Sequence, residues 1–271
     1  MSKRKIIIAN WKMNPLSLKD AEKLFKDTAK LVSKIKKAEI VACVPYIYLE
    51  KLRKLSLGRS RTLGHSSTGE PGEAKKISLG AQNCFYEEKG AFTGEISPEM
   101  LANLGVKYVI LGHSERRARG ETSVDVNKKI KAALVAGLKP VVCVGEISRD
   151  ENHEYFNLVK MQLEESLDGI SKHSIEKVII AYEPVWALSS TLPRKDATSM
   201  DAREMNIFIR KVLSDKFGSQ VSPRVIYGGS ANEKDAEEFL TNGGVDGLLP
   251  GKASLDPKRF AEIVKIADKC S

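Results

Sequence analysis

Residues 6–11 read Ile6-Ile7-Ile8-Ala9-Asn10-Trp11, and the stretch from Ser17 to Lys36 then places apolar side chains at Leu18, Ala21, Leu24, Phe25, Leu31, Val32 and Ile35. The first run is continuous rather than alternating, the pattern of a strand buried on both faces. The second repeats with helical period, the pattern of a helix with one apolar stripe. The same pairing recurs along the chain. Further short apolar runs lie at 40–44, 77–83, 108–112, 140–144, 178–182, 224–228 and 246–249, each followed by a helical segment. Several helix starts are signposted. Ser97-Pro98 combines an N-cap with a proline in the first turn. Thr122 with Asp125, and Ser230 with Glu233, have capping-box spacing. Strict strand–helix alternation predicts a parallel sheet, and eight repeats predict a closed (β/α)8 TIM barrel forming a single domain over residues 1–271. A doubly wound open sheet is the runner-up, weakened because no G-x-G-x-x-G turn follows the first strand.

The 271 residues suit one such barrel, and 42% hydrophobic with 29% charged residues gives a sizeable core and excludes gross disorder. No apolar run approaches the roughly 20 residues of a membrane span. The polar Asn10 and Lys12 come too early for a signal peptide, so a cytoplasmic protein is expected. The net charge is +9, from 44 basic and 35 acidic residues. The lysines are spread along helices and do not interleave with aromatics, which argues against nucleic acid or a membrane surface. Cys43, Cys84, Cys143 and Cys270 form no CxxC pair and read as reduced core residues rather than disulfides or metal ligands. Residues 58–76 are rich in Gly, Ser, Arg and Lys and read as a flexible insertion on the face away from the chemistry. Residues 184–198 read as a lid over the opposite, C-terminal face.

Barrel chemistry sits where strands end at the C-terminal face. Those positions hold Asn10 and Lys12 after strand one, and Gly112-His113-Ser114-Glu115 after strand four. Tyr182-Glu183-Pro184 follows strand six, Gly228-Gly229-Ser230 strand seven, and Gly251-Lys252 strand eight. Each has an ordinary structural reading as well: a solvated lysine, a satisfied histidine, a turn glutamate, turn glycines. His65, His153 and His173 fall in polar loops or helix ends and take that ordinary reading. Taken together, however, a lysine, a histidine and a carboxylate beside glycine turns that offer backbone N–H groups suggest proton transfer on a small phosphorylated carbonyl compound.

Seven motifs go further. Ala9-Asn10-Trp11-Lys12-Met13-Asn14, Gly80-Ala81-Gln82-Asn83, Gly90-Ala91-Phe92-Thr93-Gly94-Glu95, Gly112-His113-Ser114-Glu115-Arg116-Arg117, Cys143-Val144-Gly145-Glu146, Ala181-Tyr182-Glu183-Pro184-Val185-Trp186-Ala187 and Tyr227-Gly228-Gly229-Ser230 resemble, in order, the triosephosphate isomerase family. The resemblance implies interconversion of dihydroxyacetone phosphate and D-glyceraldehyde 3-phosphate through an enediolate, in glycolysis and gluconeogenesis, with no cofactor and no metal. It makes Glu183 the general base, His113 the neutral electrophile, Lys12 the charge for phosphate and enediolate, and Asn10 a holder of the substrate oxygens. Glu115 pairs with or orients Lys12. Backbone N–H groups of Ser189, Ser230, Gly251 and Lys252 receive the phosphate, supported by Tyr227, Gly228 and Gly229.

The resemblance also implies a homodimer, with pairing into tetramers left open. Thr93 would stand against the second chain's Asn10, and Glu95 against its Arg116. Two departures stand out. Gly251-Lys252, preceded by Pro250, replaces two glycines. Leu188-Ser189-Ser190-Thr191-Leu192-Pro193-Arg194-Lys195 replaces a shorter, glycine-containing lid tip. A paralogue isomerising another small phosphosugar, or a non-catalytic barrel kept for binding, are the alternatives; retention of Lys12, His113 and Glu183 together weighs against the second.

Overall fold

The computed structural model describes residues 4–56, 77–188 and 195–271. The expected insertion at 58–76, with His65, and the lid tip carrying Ser189 lie outside the described residues. Eight parallel strands close into a barrel in sequence order. They are β1 (Ile6–Asn10), β2 (Glu39–Cys43), β3 (Ser78–Ala81), β4 (Tyr108–Leu111), β5 (Lys139–Val144), β6 (Ile179–Tyr182), β7 (Arg224–Tyr227) and β8 (Gly247–Leu248). The helices α1 (Leu18–Leu31), α2 (Tyr46–Ser56), α3 (Pro98–Asn103), α4 (Ser114–Arg117), α5 (Ser123–Val135), α6 (Glu154–Ser166), α7 (Lys172–Ile175), α8 (Ser199–Phe217), α9 (Ala236–Thr241) and α10 (Pro257–Lys269) connect them. The barrel read from strict alternation is therefore the one observed. Among the described residues no helix is long and apolar enough to cross a membrane.

The continuous apolar runs have two destinations. Ile6, Ile8, Val41, Cys43, Tyr108, Ile110, Val141, Cys143, Ile179, Ala181, Ile226 and Leu249 point inward and fill the barrel. Their neighbours Ile7, Ala9, Ile40, Ala42, Val109 and Val142 point outward beneath the helices. Successive strand side chains face opposite ways, so a strand buried on both sides must be apolar at every position. The closing seam is short: β1 pairs with β8 only through Ile6–Gly247 and Ile7–Leu248, and β7 with β8 through Tyr227–Leu248. Expected strand eight is trimmed because Asp246 turns its carboxylate to the Val225 N–H (2.9 Å) and to Arg210 (2.7 Å).

Local start signals mostly operate as read. Ser97 caps α3 with Pro98 in its first turn, and Thr122 and Asp125 form a full capping box on α5. Ser17 caps α1, but α1 ends at Leu31, so Val32 and Ile35 are buried in the turn beyond it, while Leu18 and Leu31 are exposed. The Ser230–Glu233 capping box does not form. The helix after β7 starts later, at Ala236. Asp235 instead accepts the Asn232 N–H at 2.7 Å, and Glu233 is drawn away by Arg259 at 2.9 Å. Ser230 stays in the loop, facing the barrel mouth. Cys43, Cys84 and Cys143 are buried free thiols and Cys270 is half-buried and free. Burial pushes the Cys84 thiol up to about 12, far from reactive thiolate chemistry.

Candidate active site

A cavity of about 210 Å³ opens at the C-terminal end of the barrel, lined by Asn10, Lys12, His113, Glu183, Ser230 and Gly251 among others. Five strand ends thus bring together the residues singled out by sequence. Glu183 follows β6 at once. Its backbone N–H donates to the Val144 carbonyl (2.8 Å), extending the ladder and fixing where the side chain leaves the sheet. The side chain is buried, and both carboxylate oxygens are engaged. Oε1 lies 3.0 Å from His113 Nε2, and Oε2 accepts the Ser114 N–H at 3.2 Å. Burial pushes the Glu183 carboxyl up, but His113, the Ser114 N–H and Lys12 together hold it below its ordinary value. The group is an anion poised beside a proton donor.

Two glycines make that placement possible. A Cβ on Gly145 would lie 2.0 Å from the Glu183 carbonyl oxygen, and one on Gly228 2.8 Å from Glu183 Cγ. Any side chain at either position would displace the carboxylate from the pocket.

His113 sits between β4 and the single turn α4, with Nδ1 accepting the Glu115 N–H at 3.2 Å. That bond occupies the Nδ1 lone pair and leaves the proton on Nε2, facing the cavity and Glu183. Burial pushes the imidazole down while the Glu183 carboxylate pushes it up, and in this arrangement the carboxylate prevails. The Glu115 N–H aimed at Nδ1 opposes a second ring proton there.

Lys12 adopts φ 51°, the left-handed region that a lysine rarely occupies. It is held there from both sides. Its N–H donates to Asn10 Oδ1 (3.0 Å), and its carbonyl accepts from Gln82 Nε2 (2.9 Å). The ammonium meets Glu115 Oε1 at 2.6 Å. Asn10 Oδ1 is thus used by Lys12, and Asn10 also lines the cavity. At the far end the backbone N–H groups of Ser230, Gly251 and Lys252 make no hydrogen bond among the described residues, and the Ser230 hydroxyl oxygen is buried without a partner. Gly251 has φ −90° and Lys252 opens a 3-10 turn without positive φ. Lysine in place of a glycine thus costs no backbone strain, and its N–H is kept. Pro250 contributes its carbonyl, which accepts the Asn10 N–H at 3.0 Å.

Tyr227 and Gly229 are buried behind this loop, and a Cβ on Gly229 would lie 2.2 Å from the Tyr227 hydroxyl. Thr93 is exposed on the loop between β3 and α3, away from the cavity lining. His153 and His173 lie at helix starts outside the cavity.

Three supporting residues carried no role in the sequence reading. Glu146 is fully buried at the end of β5 and accepts from the Tyr182 hydroxyl (2.7 Å) and Trp186 Nε1 (2.8 Å). It thereby pins the segment after β6, where Val185–Ala187 form a 3-10 turn. Gln82 braces Lys12, and Arg259 lines the cavity while pairing with Glu233. Only Glu146 had a usable signal, a carboxylate directly after a buried strand.

The triosephosphate isomerase family model matches residues 5–267. A triosephosphate isomerase of Dehalococcoides mccartyi is 44% identical over 270 residues, covering 97% of this chain and 98% of that protein. One from Aquifex aeolicus is 41% identical over 269 residues, covering 96% and 98%. The crystal structure of triosephosphate isomerase from Bartonella henselae superposes with a TM-score of 0.79 at 34% identity, covering 97% of this chain and 98% of that one. Identity at this level, sustained from end to end of the same eight-stranded frame, means that the chain belongs to the triosephosphate isomerase family.

Proposed function

We propose that this chain interconverts dihydroxyacetone phosphate and D-glyceraldehyde 3-phosphate by moving one proton between adjacent carbons. The observation that carries the reading is the contact of Glu183 with His113 at one end of a cavity whose other end offers unused N–H groups. Glu183 takes the proton from the carbon beside the carbonyl and returns it to the neighbouring carbon, while His113 passes a proton from the substrate hydroxyl oxygen to the former carbonyl oxygen. The carbonyl oxygen becomes an oxyanion, so donors must already surround it. His113 Nε2–H, the Asn10 amide and the Lys12 ammonium are the donors at hand. The division between glutamate base and neutral histidine is one for which this family is itself the standard example. The N–H groups of Ser230, Gly251 and Lys252 take the phosphate, with Ser189 of the lid as a fourth. Leu188 lines the cavity at the lid's root and supports closure over it. Closure keeps water from the enediolate, which would otherwise eliminate phosphate.

Glu183 is engaged by His113 and the Ser114 N–H, so substrate must displace it from His113 before proton transfer. A coupled assay with glyceraldehyde 3-phosphate tests the reading. Rapid isomerisation is expected, and no turnover of either triose phosphate by folded protein would overturn it.

The same family membership supports a homodimer as the working unit. Residues 87–95 are exposed throughout, Phe92 included, and the base of this loop is pinned by the Phe85 N–H to the Ile96 carbonyl (2.8 Å). A pinned, protruding loop is built to enter a neighbour, setting Thr93 by its Asn10 and Glu95 by its Arg116. Light scattering on this 29.9 kDa chain should report two copies at micromolar concentration; a fully active monomer would contradict the assignment.

A further inference from the structure

Three cations line the cavity, and they are not equivalent. Lys12 is matched by Glu115 at 2.6 Å. Arg259 is matched by Glu233, with Nε 3.0 and 2.9 Å from the two carboxylate oxygens. Lys252 lines the same cavity and makes no ion pair or side-chain hydrogen bond among the described residues. Its turn is seated against the catalytic end: a Cβ on Gly251 would lie 3.2 Å from Lys12 Cε. In the same cavity the buried Ser230 hydroxyl also lacks a partner among the described residues. Lys12 and Arg259 thus each have a carboxylate partner and Glu183 is taken by His113, while Lys252 has none among the described residues, at the end where the free N–H groups collect.

From this imbalance we infer that the Lys252 side chain, and not only its backbone N–H, binds the phosphate dianion of the substrate and draws it to the site. This rests on the reading of the substrate as a triose phosphate. A phosphate dianion brings the negative charge that Lys252 lacks, and an ammonium-to-phosphate contact is a charge-assisted hydrogen bond. Lys252 is exposed at the rim, so its field reaches solvent before the substrate docks. Lys12 and Arg259 are each screened by their carboxylates and contribute less to that capture.

The test compares the wild type with Lys252→Gln and Lys252→Arg. Substrates are glyceraldehyde 3-phosphate and unphosphorylated glyceraldehyde, across a range of ionic strength. For Lys252→Gln, KM for the phosphorylated triose should rise about three- to tenfold. The loss in kcat/KM should be several times larger with the phosphorylated than with the unphosphorylated triose, and its salt dependence should flatten. Lys252→Arg should restore most of the loss. Equal losses on the two substrates, or an unchanged salt slope, would mean that Lys252 only supports the turn. Inorganic phosphate binding, followed by calorimetry, separates this inference from the proposed reaction. Weaker phosphate binding by Lys252→Gln supports the inference even if neither triose turns over. Equal binding by the two proteins, with wild-type turnover intact, overturns it alone.

Discussion

Glu183→Gln is expected to lower kcat by roughly 10²- to 10⁴-fold or more while leaving the barrel folded and phosphate bound. Glutamine keeps the volume at a site where Gly145 and Gly228 leave no spare room, so the fold should tolerate it. It cannot accept the substrate proton. Its amide also replaces one of the two carboxylate oxygens, which meet the Ser114 N–H and His113 Nε2 at 3.2 and 3.0 Å, by an NH2 donor that faces one of these groups. The pH dependence carries a sign. Glu183 is held below its ordinary value of 4.5 by His113, Ser114 and Lys12 against the opposing effect of burial. A carboxyl depressed on folding contributes stability above 4.5 that is lost as pH falls through the folded value. The acid limb of kcat/KM, after correction for the substrate phosphate's own ionisation near pH 6, should therefore fall below pH 4.5 in the wild type. In Glu183→Gln that limb should vanish. Steady-state kinetics across pH, with circular dichroism as a control for folding, would check both. Retained wild-type turnover would remove Glu183 from the mechanism.

Lys12→Met should lower kcat/KM by about 10²- to 10³-fold, the size of effect seen when one preorganised oxyanion donor is removed. Methionine preserves most of the apolar stem that packs on Gly251, so the cavity wall should survive. Glu115 loses its partner, but its side chain is 43% exposed and returns to water, so stability should change by less than about 1 kcal/mol. The Asn10 and Gln82 bonds that hold residue 12 at positive φ involve its backbone alone and remain available. Both KM and kcat should suffer, because one ammonium serves phosphate and developing oxyanion. Kinetics alongside a melting curve distinguish this from unfolding. A kcat/KM within about threefold of wild type, far short of the loss of one such donor, would show that Lys12 is only a structural partner of Glu115.

How much of this was legible in the sequence depended on how local each cause is. The eight strands were legible because burial on both faces demands an unbroken apolar run, as in Ile6–Ala9 with its inward and outward residues. Thr122–Asp125 was legible because a capping box closes within four residues. Ser230–Glu233 has the same spacing and fails, because Arg259, distant in sequence, competes for Glu233. His113 and Glu183 could be picked out as polar residues ending apolar strands. The positive φ of Lys12 could not: it is imposed by Gln82, which arrives from β3. The need for glycine at 145 was not legible either, because the Glu183 backbone that occupies the space of its missing side chain comes from the next strand.

The seam between the first and last strands has a consequence for how catalysis is gained and lost. Asn10 receives the Ser254 hydroxyl on its carbonyl from 244 positions away, and its own N–H reaches the Pro250 carbonyl. The strand carrying Asn10 and the loop carrying Gly251 and Lys252 thus meet across the junction of first and last strands, where the ladder has only two pairs. Such contacts form late, after the loop entropy of the whole intervening chain has been overcome. Turnover therefore works as a sensor of ring closure. During refolding it should be regained after the helices, and on warming, fraying at this one junction would silence the enzyme while most of its secondary structure still stands.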